Sequence, residues 1–557
     1  MAKSKPHPAP ADTADALRRA LGFHRRGNFP QAEELYVAVL ATQPDNFDAL
    51  HLYGVMRHQS GQHAEALALI ARALRTNSRS AAAHSNYGTV LAVLNRSEEA
   101  LASYAQAVAL QPDFIDALIA QSNTLYALGR FAEALSGYER VLAIKPDFAE
   151  IHNNCGNALW CLRRPREALA HFDAALALKP DYAEAHNNRG NALLDLNRAA
   201  EALAGFERAL SLKAGYADAL VNRGNALRDL DRDDEALECF ERAIALSPQL
   251  AEAHWNKALL HLSHGDFEKG WPGYEWRWRR AGASIRGFTQ PLWRGEDLRG
   301  KTILLHAEQG FGDTIQFARY VPMVAARGAR VILEVPDAVM PLLASLDGVG
   351  ALIGRGVALP AFDLHCPLLS LPLAFGTTLA TIPGTVPYLR VPEDRMAIWR
   401  ALLPPTDRLR VGLAWSGKPS HANDHNRSIP LAQFAPLLAI PDIIFISLQR
   451  DIRESDHLAL ESALLHRLDE RLADFADTAA AIAQCDLVIG VDTAVAHLAG
   501  SLGKPLWLLL PHGGDWRWLM DREDSPWYPN ARLFRQPSIG DWNSVIARLA
   551  AEIALRT

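Results

Sequence analysis

The sequence is poor in cysteine and lacks any long apolar segment. Its 557 residues include five cysteines, Cys155, Cys161, Cys239, Cys366 and Cys485. Their number and spacing fit neither a disulfide framework nor a zinc site, and they indicate a reducing compartment. The N-terminal segment has no apolar core of a secretory signal, and runs such as LWLLL are too short to cross a bilayer. We therefore expect a cytoplasmic protein whose residues 1–12 form a disordered tail.

An excess of positive charge is also missing. The formal net charge is −6, which argues against nucleic acid as the main ligand. Apolar residues make up 49% of the chain and charged residues 22%, as in ordinary globular proteins. The length predicts two to four domains.

Several catalytic motifs are absent as well. The sequence contains no complete G-x-G-x-x-G fingerprint, no Walker A motif, no G-x-S-x-G elbow and no Ser-His-Asp order. Its Asp-x-Asp patterns, Asp229–Asp231 and Asp231–Asp233, overlap inside a repeat. We therefore expect no hydrolase, no cofactor, and no paired carboxylates of the kind that hold a divalent ion in metal-dependent sugar transferases.

A small residue recurs every 34 positions through the first half of the chain. The column consists of Ala20, Gly54, Gly88, Ser122, Gly156, Gly190, Gly224 and Ala258. A second small column, an aromatic column and a proline column keep the same register. This period predicts tetratricopeptide repeats, in which two antiparallel helices pack closely at the small residue. The fold class expected for residues 13–284 is therefore an α-solenoid that presents a concave surface to a polypeptide.

A cluster of tryptophan and arginine follows the last complete repeat. Trp271, Trp276, Trp278 and Trp293 alternate with four arginines. An array needs its exposed end covered, so we interpret the cluster as a cap that docks the next domain rather than as a cation–π ligand box.

The pattern then changes to strand–turn–helix, which predicts two Rossmann-like α/β lobes over residues 285–395 and 396–557. Strands are expected at residues 301–307, 330–335, 410–415, 443–448, 486–491 and 505–510, with short ones near 352 and 362–365. Helices are expected at 314–328, 337–346, 431–438, 477–484, 493–502 and 542–555. Residues 392–407 are expected to join the lobes. A cleft at the carboxyl ends of both sheets is where such folds bind ligands.

Three segments at strand ends are candidates for that cleft. Gly310, Gly312 and Asp313 form a turn that opens a helix; Asp313 either projects into the cleft or merely caps the helix. A second turn offers backbone N–H groups at a helix start to a pyrophosphate; it comprises Asp492, Thr493, Ala494 and, one turn later, His497. The polar loop 416–430 carries the cations Lys418 and Arg427, unless it is only a solvated loop.

These motifs resemble those of GT-B glycosyltransferases, and most closely the bacterial heptosyltransferase family (glycosyltransferase family 9). GFGD resembles the first-lobe motif whose aspartate is the proposed general base, and GVDTAVAHLAGSLGKP is similar to the donor-binding motif of the second lobe. NRSIPL stands where the family has a Lys-x-Trp-Pro element, so Arg427 replaces the lysine that meets the donor phosphates. The resemblance leaves open whether Arg427 or Lys418 is the main phosphate cation.

A repeat array before a GT-B core also resembles protein O-GlcNAc transferases. In those enzymes an asparagine ladder holds the backbone of the acceptor. Here two asparagine rows, three residues apart on one helix face, comprise Asn86, Asn154, Asn188, Asn222 and Asn256, and Asn123, Asn157, Asn191 and Asn225. Asparagine is alternatively just common at these repeat positions.

The resemblance implies a metal-independent, inverting hexosyl- or heptosyltransferase. Asp313 would be the catalytic base. Donor binding would involve Gly310, Gly312, Lys418, Arg427, Asp492, Thr493, Ala494 and His497. The partners would be a nucleotide-sugar and a polypeptide whose Ser or Thr lies on the asparagine rows. Two alternatives are a transferase for a glycolipid or lipopolysaccharide, with repeats recruiting partners, and an inactive transferase-like scaffold.

Overall fold

A computed structural model describes residues 10–403, 405–421 and 423–556, with side chains from residue 13 onward. The chain divides into two compact units, one ending at Leu230 and the other running from Asp231 to the C-terminus. The predicted tail at residues 1–9 lies outside the described residues. Residues 10–12 are helical, which corrects the predicted tail there: Pro10 begins the first helix, and proline suits a first helical turn because its φ is preset.

The first unit consists of antiparallel helix pairs. Its helices are α1 (Pro10–Arg25), α2 (Phe29–Thr42), α3 (Phe47–Gln59), α4 (His63–Thr76), α5 (Ala81–Val93), α6 (Ser97–Leu110), α7 (Ile115–Ala127), α8 (Phe131–Ile144), α9 (Ala149–Cys161), α10 (Pro165–Leu178), α11 (Ala183–Asp195), α12 (Ala199–Leu212) and α13 (Ala217–Arg228). The helix pairs follow the 34-residue period, as the sequence predicts.

The small column lies where the two helices of a repeat touch. A Cβ atom added to Gly156 would lie 2.5 Å from Cε1 of Phe172, and one added to Gly190 would lie 2.4 Å from Cε1 of Phe206. These distances are too short for non-bonded carbons, so the aromatic column packs directly on the glycine backbone. The predicted role of the small residues is thereby confirmed.

The second unit begins with the last repeat helices, α14 (Asp233–Leu246), α15 (Ala251–Ser263) and α16 (Phe267–Tyr274), followed by a 3₁₀ turn at Glu275–Arg279. Trp271 is buried in the same core as the α/β lobes, and its indole N–H donates to the Thr377 carbonyl at 2.8 Å. The buried Arg277 donates to Glu308 and Ser370. The tryptophan–arginine segment therefore docks the last repeat on the α/β lobes, as expected of a cap.

The first lobe contains a four-stranded parallel sheet in the order β3-β2-β1-β4. Its strands are β1 (Thr302–His306), β2 (Arg330–Val335), β3 (Val349–Gly354) and β4 (Leu364–Pro367), and its helices are α17 (Phe311–Phe317), α18 (Val321–Ala326), α19 (Met340–Leu343) and α20 (Leu371–Ala374). The predicted helix at 314–328 is two helices, because the chain passes through a 3₁₀ turn before Pro322. The carboxyl ends of β1 and β4 flank the point where the strand order reverses.

The second lobe contains a six-stranded parallel sheet in the order β10-β9-β8-β5-β6-β7. Its strands are β5 (Leu409–Ala414), β6 (Ile443–Ser447), β7 (Leu465–His466), β8 (Leu487–Val491), β9 (Leu506–Leu510) and β10 (Ala531–Arg535). Its helices are α21 (Glu393–Leu402), α22 (Asp424–Arg427), α23 (Ala435–Leu438), α24 (His457–Ser462), α25 (Phe475–Ala483), α26 (Ala494–Ser501) and α27 (Trp542–Ala554). This is the strand order of a dinucleotide-binding sheet, and its order reverses between β5 and β8.

The second lobe departs from the predicted elements at several places, and β7 and α24 are two elements that the sequence did not predict. Helix α21 spans the expected linker and the expected lobe boundary, because Trp399 is buried and Arg395 pairs with Asp477 of α25 at 3.0 Å. The short helix α22 interrupts the loop that was expected to be irregular. The edge strand β10 follows a stretch without a clear period and pairs with β9. The boundary between the two compact units lies after Leu230. The domain boundary at residue 284 therefore stays a prediction.

Candidate functional site

The two lobes meet at the glycine-rich turn and the Thr493 turn. Helix α17 opens at Gly310, directly after β1, and α26 opens after β8. A Cβ atom on Gly312 would lie 2.7 Å from Cδ2 of His497 and 3.5 Å from Cα of Ala494. Only glycine permits this approach, so the first and second candidate segments are brought together across the lobes.

Asp313 has two partners, one in each lobe. Its Oδ2 accepts from the Gly310 backbone N–H at 3.0 Å, so it caps the helix, as one of the two sequence interpretations held. Its Oδ1 accepts from Nη2 of Arg517 at 2.5 Å, which joins the first lobe to the second. Burial raises the pKa of Asp313, and the Arg517 guanidinium opposes that rise. Asp313 therefore caps the helix and faces the second lobe at the same time.

Asp492 and His497 lie side by side under aromatic cover. Burial raises the pKa of Asp492 to about 6, with Asp515 adding to the effect and Arg427 opposing it. Burial, together with nearby arginines, lowers the pKa of His497 well below its ordinary value, so the imidazole is neutral at pH 7. Its Nδ1 shares a 3.0 Å hydrogen bond with the Tyr528 hydroxyl, and its ring stacks on Trp518 at 5.3 Å. His497 is thus a fixed, uncharged side chain where the two turns meet.

Of the two candidate cations, Arg427 lies at the crevice. Its Nη1 donates to the Asp492 carbonyl at 2.9 Å, at the end of β8. A Cβ atom on Gly417 would lie 2.6 Å from Nη2 of Arg427, so the glycine makes room for the guanidinium. Lys418 is exposed on the loop. The geometry therefore favours Arg427 as the cation next to the Thr493 turn.

Buried polar atoms without protein partners surround the point where the second sheet reverses its order. Within the described residues, the hydroxyls of Ser416 and Thr493 and Nε of Arg427 are buried and find no hydrogen-bond partner. Thr493 begins α26, yet its side chain does not cap the free N–H groups of the first turn. Unpaired buried polar atoms are costly, and a polar ligand at the ends of β5 and β8 would satisfy them.

Sequence reasoning missed three polar residues at the site, Arg453, Arg517 and Glu308. Arg453 donates to the Gly417 carbonyl at 3.0 Å and also contacts Asp424, and thereby fixes the loop that carries Arg427. Arg517 belongs to the loop after β9. Glu308 follows β1, and burial raises its pKa to about 7 although Arg277 pairs with it at 3.0 Å. The available signal was position, because each of these side chains lies on a loop that follows a parallel strand.

The asparagine rows differ from repeat to repeat in what their amides bind. Nδ2 of Asn188 donates to Oδ1 of Asn153 at 3.0 Å, and Nδ2 of Asn222 donates to Asn187 in the same way. Asn86 contacts His51 across the corresponding interval. These bonds link successive repeats, and Oδ1 of Asn188 also accepts from Nδ2 of Asn187 at 3.3 Å. Part of each amide is therefore structural, which the sequence did not reveal.

Asn154 has no such neighbour, because Ile119 occupies the equivalent place one repeat earlier. Asn123, Asn154 and Asn157 instead line a cavity of about 190 Å³ together with Tyr126 and Tyr138. Asn191 and Asn225 are half-buried, and Oδ1 of Asn225 has no partner within the described part of the chain. Asn256, in the second compact unit, is buried rather than half-buried. Members of both rows therefore line one cavity together. Along the other repeats, binding of a polypeptide by the rows stays a prediction.

Family models identify the repeats. The model described as TPR repeat matches residues 123–162 and 224–265. The model described as tetratricopeptide repeat matches residues 17–82, 57–113 and 154–218. The first half of the chain is therefore a tetratricopeptide array. It is followed by an α/β region with two parallel sheets.

Individual proteins resemble parts of the chain. Protein FlbA of Caulobacter vibrioides is 29% identical over 328 residues, which are 53% of this chain and 54% of that protein. The chain thus spans about half the length of this curated relative. The structure of YrrB, a TPR protein described as having an unusual peptide-binding site, is 26% identical and covers 34% of this chain and 98% of its own, with a TM-score of 0.30. A tetratricopeptide repeat protein from Parabacteroides merdae is 18% identical and covers 44% and 98%, with a TM-score of 0.36.

No described helix is both long enough and apolar enough to cross a membrane.

Proposed function

We propose that the α/β region is a GT-B glycosyltransferase that moves a sugar from a nucleotide-sugar to a protein Ser or Thr held by the repeat array. One observation carries the proposal: Gly312 and Asp313 of the first lobe contact the Ala494 helix start and Arg517 of the second. A carboxylate therefore faces an anion-binding helix start across a crevice at the ends of two parallel sheets, the usual ligand site of such folds.

In this proposal the second lobe holds the donor. The unpaired N–H groups at the start of α26, the Thr493 hydroxyl and Arg427 stabilise the diphosphate, whose negative charge grows as the bond to the sugar breaks. The Ser416 hydroxyl adds a further donor at the end of β5. The ring of His497 is neutral, so it adds no charge beside the diphosphate, and it packs against the Gly312 turn. These groups stabilise a leaving diphosphate without a metal ion.

The first lobe supplies the base. Asp313 takes the proton from the acceptor hydroxyl while its oxygen attacks the anomeric carbon, so the configuration inverts. The carboxylate has to be ionised before the attack, and Arg517 favours that form. The acceptor polypeptide lies along the asparagine rows, where amides both donate to and accept from a peptide backbone.

The Asp313→Asn variant tests the assignment of the base. Asparagine keeps the size of the side chain but cannot accept a proton, so transfer should fall about 100- to 10,000-fold while donor affinity stays within a few-fold. Asp347→Asn, on an exposed turn of the same lobe, is the control and should keep wild-type turnover. Transfer by Asp313→Asn at nearly the wild-type rate would remove Asp313 from this role. EDTA should leave wild-type turnover unchanged, and a strong loss would contradict metal independence.

The acceptor class is tested in the array. The combined change of Asn154, Asn188 and Asn222 to alanine should abolish transfer to protein acceptors and leave donor hydrolysis intact. Intact masses of candidate acceptors, with and without the enzyme, report the sugar and the acceptor together. Unchanged protein glycosylation would favour a glycolipid acceptor. Failure of every nucleotide-sugar to raise the melting temperature would favour an inactive scaffold, because a bound ligand stabilises the folded state.

A further inference from the structure

The loop after β9 connects the end of the repeat array to Asp313. We call residues His512–Trp518 the β9 loop. Three donor groups of Arg517 in this loop are in use: Nη2 binds Asp313 at 2.5 Å, Nη1 binds Asp515 at 2.8 Å and Nε binds Oε1 of Gln316 at 2.8 Å. Its side chain is only 8% exposed. A guanidinium with this many fixed partners has a single orientation.

The cap of the repeat array holds the β9 loop in place. Trp516 packs edge-on against Trp271 of α16, with ring centroids 5.3 Å apart, and against Tyr274 at 5.7 Å. At the start of the loop, Nε2 of His512 contacts the Asp231 carboxylate at 3.0 Å. One end of the loop therefore rests on α16 and the other on the turn before α14, both in the same compact unit, so the last repeat supports the environment of Asp313.

Burial and a neighbouring carboxylate both disfavour the charged form of Asp313. Burial favours the neutral carboxyl, and Asp515 adds repulsion. The other titratable groups around it are His421, Glu308 and Tyr274. His421, when protonated, lowers the pKa of Asp313, but burial lowers the pKa of His421 itself, so its positive charge is lost before pH 7. Arg517 is thus the cation in direct contact with Asp313 among the described residues.

We propose, on the basis of the function proposed above, that Arg517 is the positioning residue of Asp313. Its guanidinium holds the carboxylate in one orientation and in the ionised form, and the repeat cap holds the guanidinium through Trp516. Because Arg517 belongs to the opposite lobe, it holds Asp313 in the ionised form only while the two lobes are in contact. The last repeat helices and the base are therefore linked through the contacts of Trp516 and Arg517.

Two substitutions separate charge from shape. Arg517→Gln removes the cation and keeps a hydrogen-bonding amide, so the pKa of Asp313 should rise and the acidic limb of the pH profile of kcat/KM should move up by about one unit. On the acidic limb, where only a small ionised fraction of Asp313 reacts, the loss of kcat/KM should be about tenfold. Arg517→Lys keeps the charge and should leave the limb within about half a unit, with a partial loss of rate. Arg522→Gln, at a neighbouring surface arginine paired with Asp524, should match the wild type.

The shape of the profile decides the outcome. If Arg517→Gln lowers kcat/KM equally at every pH and leaves the acidic limb in place, Arg517 only supports the fold and the proposal is overturned. An equal displacement of the limb in Arg517→Lys would also contradict it, since that variant keeps the charge. Circular dichroism of each variant establishes whether it is folded. If Arg517→Gln does not fold, Arg517→Lys still tests the proposal.

A measurement without activity separates this inference from the proposed function. Melting temperatures of Asp313→Asn, Arg517→Gln and the double variant form a cycle. If the pair interacts, the double variant should melt close to the less stable single variant rather than lower by the sum of both shifts. Coupling without transfer to any acceptor would reject the glycosyltransferase and keep the pair. Transfer without coupling would reject the pair and keep the glycosyltransferase.

Discussion

A glycine is needed in the repeat array and in the α/β region for the same steric reason, but its neighbour comes from a different part of the sequence. Gly156 makes room for Phe172 of the next helix, in the same repeat. Gly312 makes room for His497, which belongs to the other lobe. A period therefore predicts the neighbour in the array, whereas the neighbour in the α/β region depends on how two sheets are brought together. The array is built from local contacts, and the candidate site from distant ones.

The largest effect on the candidate site is expected when the space at Gly312 is filled. In Gly312→Ala the new methyl group would overlap His497, so the turn and the start of α26 have to separate. A displacement of about 1 Å at a catalytic group costs about 100-fold, and we expect kcat/KM to fall by that factor. Gly287→Ala is the control, because a Cβ atom there meets nothing within 4 Å. Wild-type turnover of Gly312→Ala would show that the lobes need not approach so closely.

The same change in the array should affect stability and not chemistry. Gly156→Ala places a methyl group against Phe172, and overpacking of this kind costs about 1–3 kcal/mol of unfolding free energy. Urea unfolding followed by far-UV circular dichroism measures the effect, and kcat per folded molecule should stay constant. Gly215→Ala has open space around its Cβ position and should change the free energy by less than about 0.5 kcal/mol. Equal effects of the two substitutions would contradict close packing at the small column.

The two candidate cations of the second lobe offer a finer test. Arg427 lies at the end of β8 and Lys418 is exposed, so Arg427→Ala should weaken binding of a nucleoside diphosphate about tenfold and Lys418→Ala less than about twofold. Titration calorimetry with uridine, guanosine, adenosine and cytidine diphosphates measures both and also reports the preferred base. A larger loss from Lys418→Ala would reverse the assignment that the structure favours.

A pH dependence of stability is expected for one buried carboxyl of the second lobe. Because burial raises the folded-state pKa of Asp492 to about 6, the folded protein binds its proton more tightly than the unfolded chain does. The contribution of this group to the unfolding free energy is therefore greatest at low pH and is lost as pH rises from about 4 to about 6. Asp492→Asn should remove this loss, up to about 3 kcal/mol, in urea titrations across that range. The exposed Asp407→Asn is the control and should follow the wild type at each pH.

Prediction from the sequence succeeded where structure repeats or alternates over short distances. The 34-residue period placed the small residues and the aromatic column correctly, and the tryptophan–arginine cluster marked the capping segment. The strand at residues 330–335 was predicted to the residue, because a buried parallel strand is a short apolar run between turns. It failed at helix α21, whose buried face is evident only once Trp399 meets Asp477. It also missed β10, an edge strand identified by its pairing with β9.

The candidate site divides in the same way. Asp313, Thr493 and Arg427 stand in recognisable turns after strands, so the sequence points to each of them. Nothing in the sequence pairs Asp313 with Arg517, because the two residues are far apart along the chain and share no period. Which of Arg427 and Lys418 lies beside the Thr493 turn is likewise known only from the folded structure, where Gly417 makes room for the Arg427 guanidinium.

The sequence by itself determined the helical repeats, the apolar strands and the residue types at the strand ends, since these depend on neighbours within a few dozen positions. The tertiary structure decided which strand ends meet, which cation lies beside the Thr493 turn and which arginine pairs with Asp313. Such contacts form when separate cores pack together, and the chemistry of each side chain then depends on groups from remote segments. Their burial and charge are properties of the folded molecule rather than of any stretch of its chain.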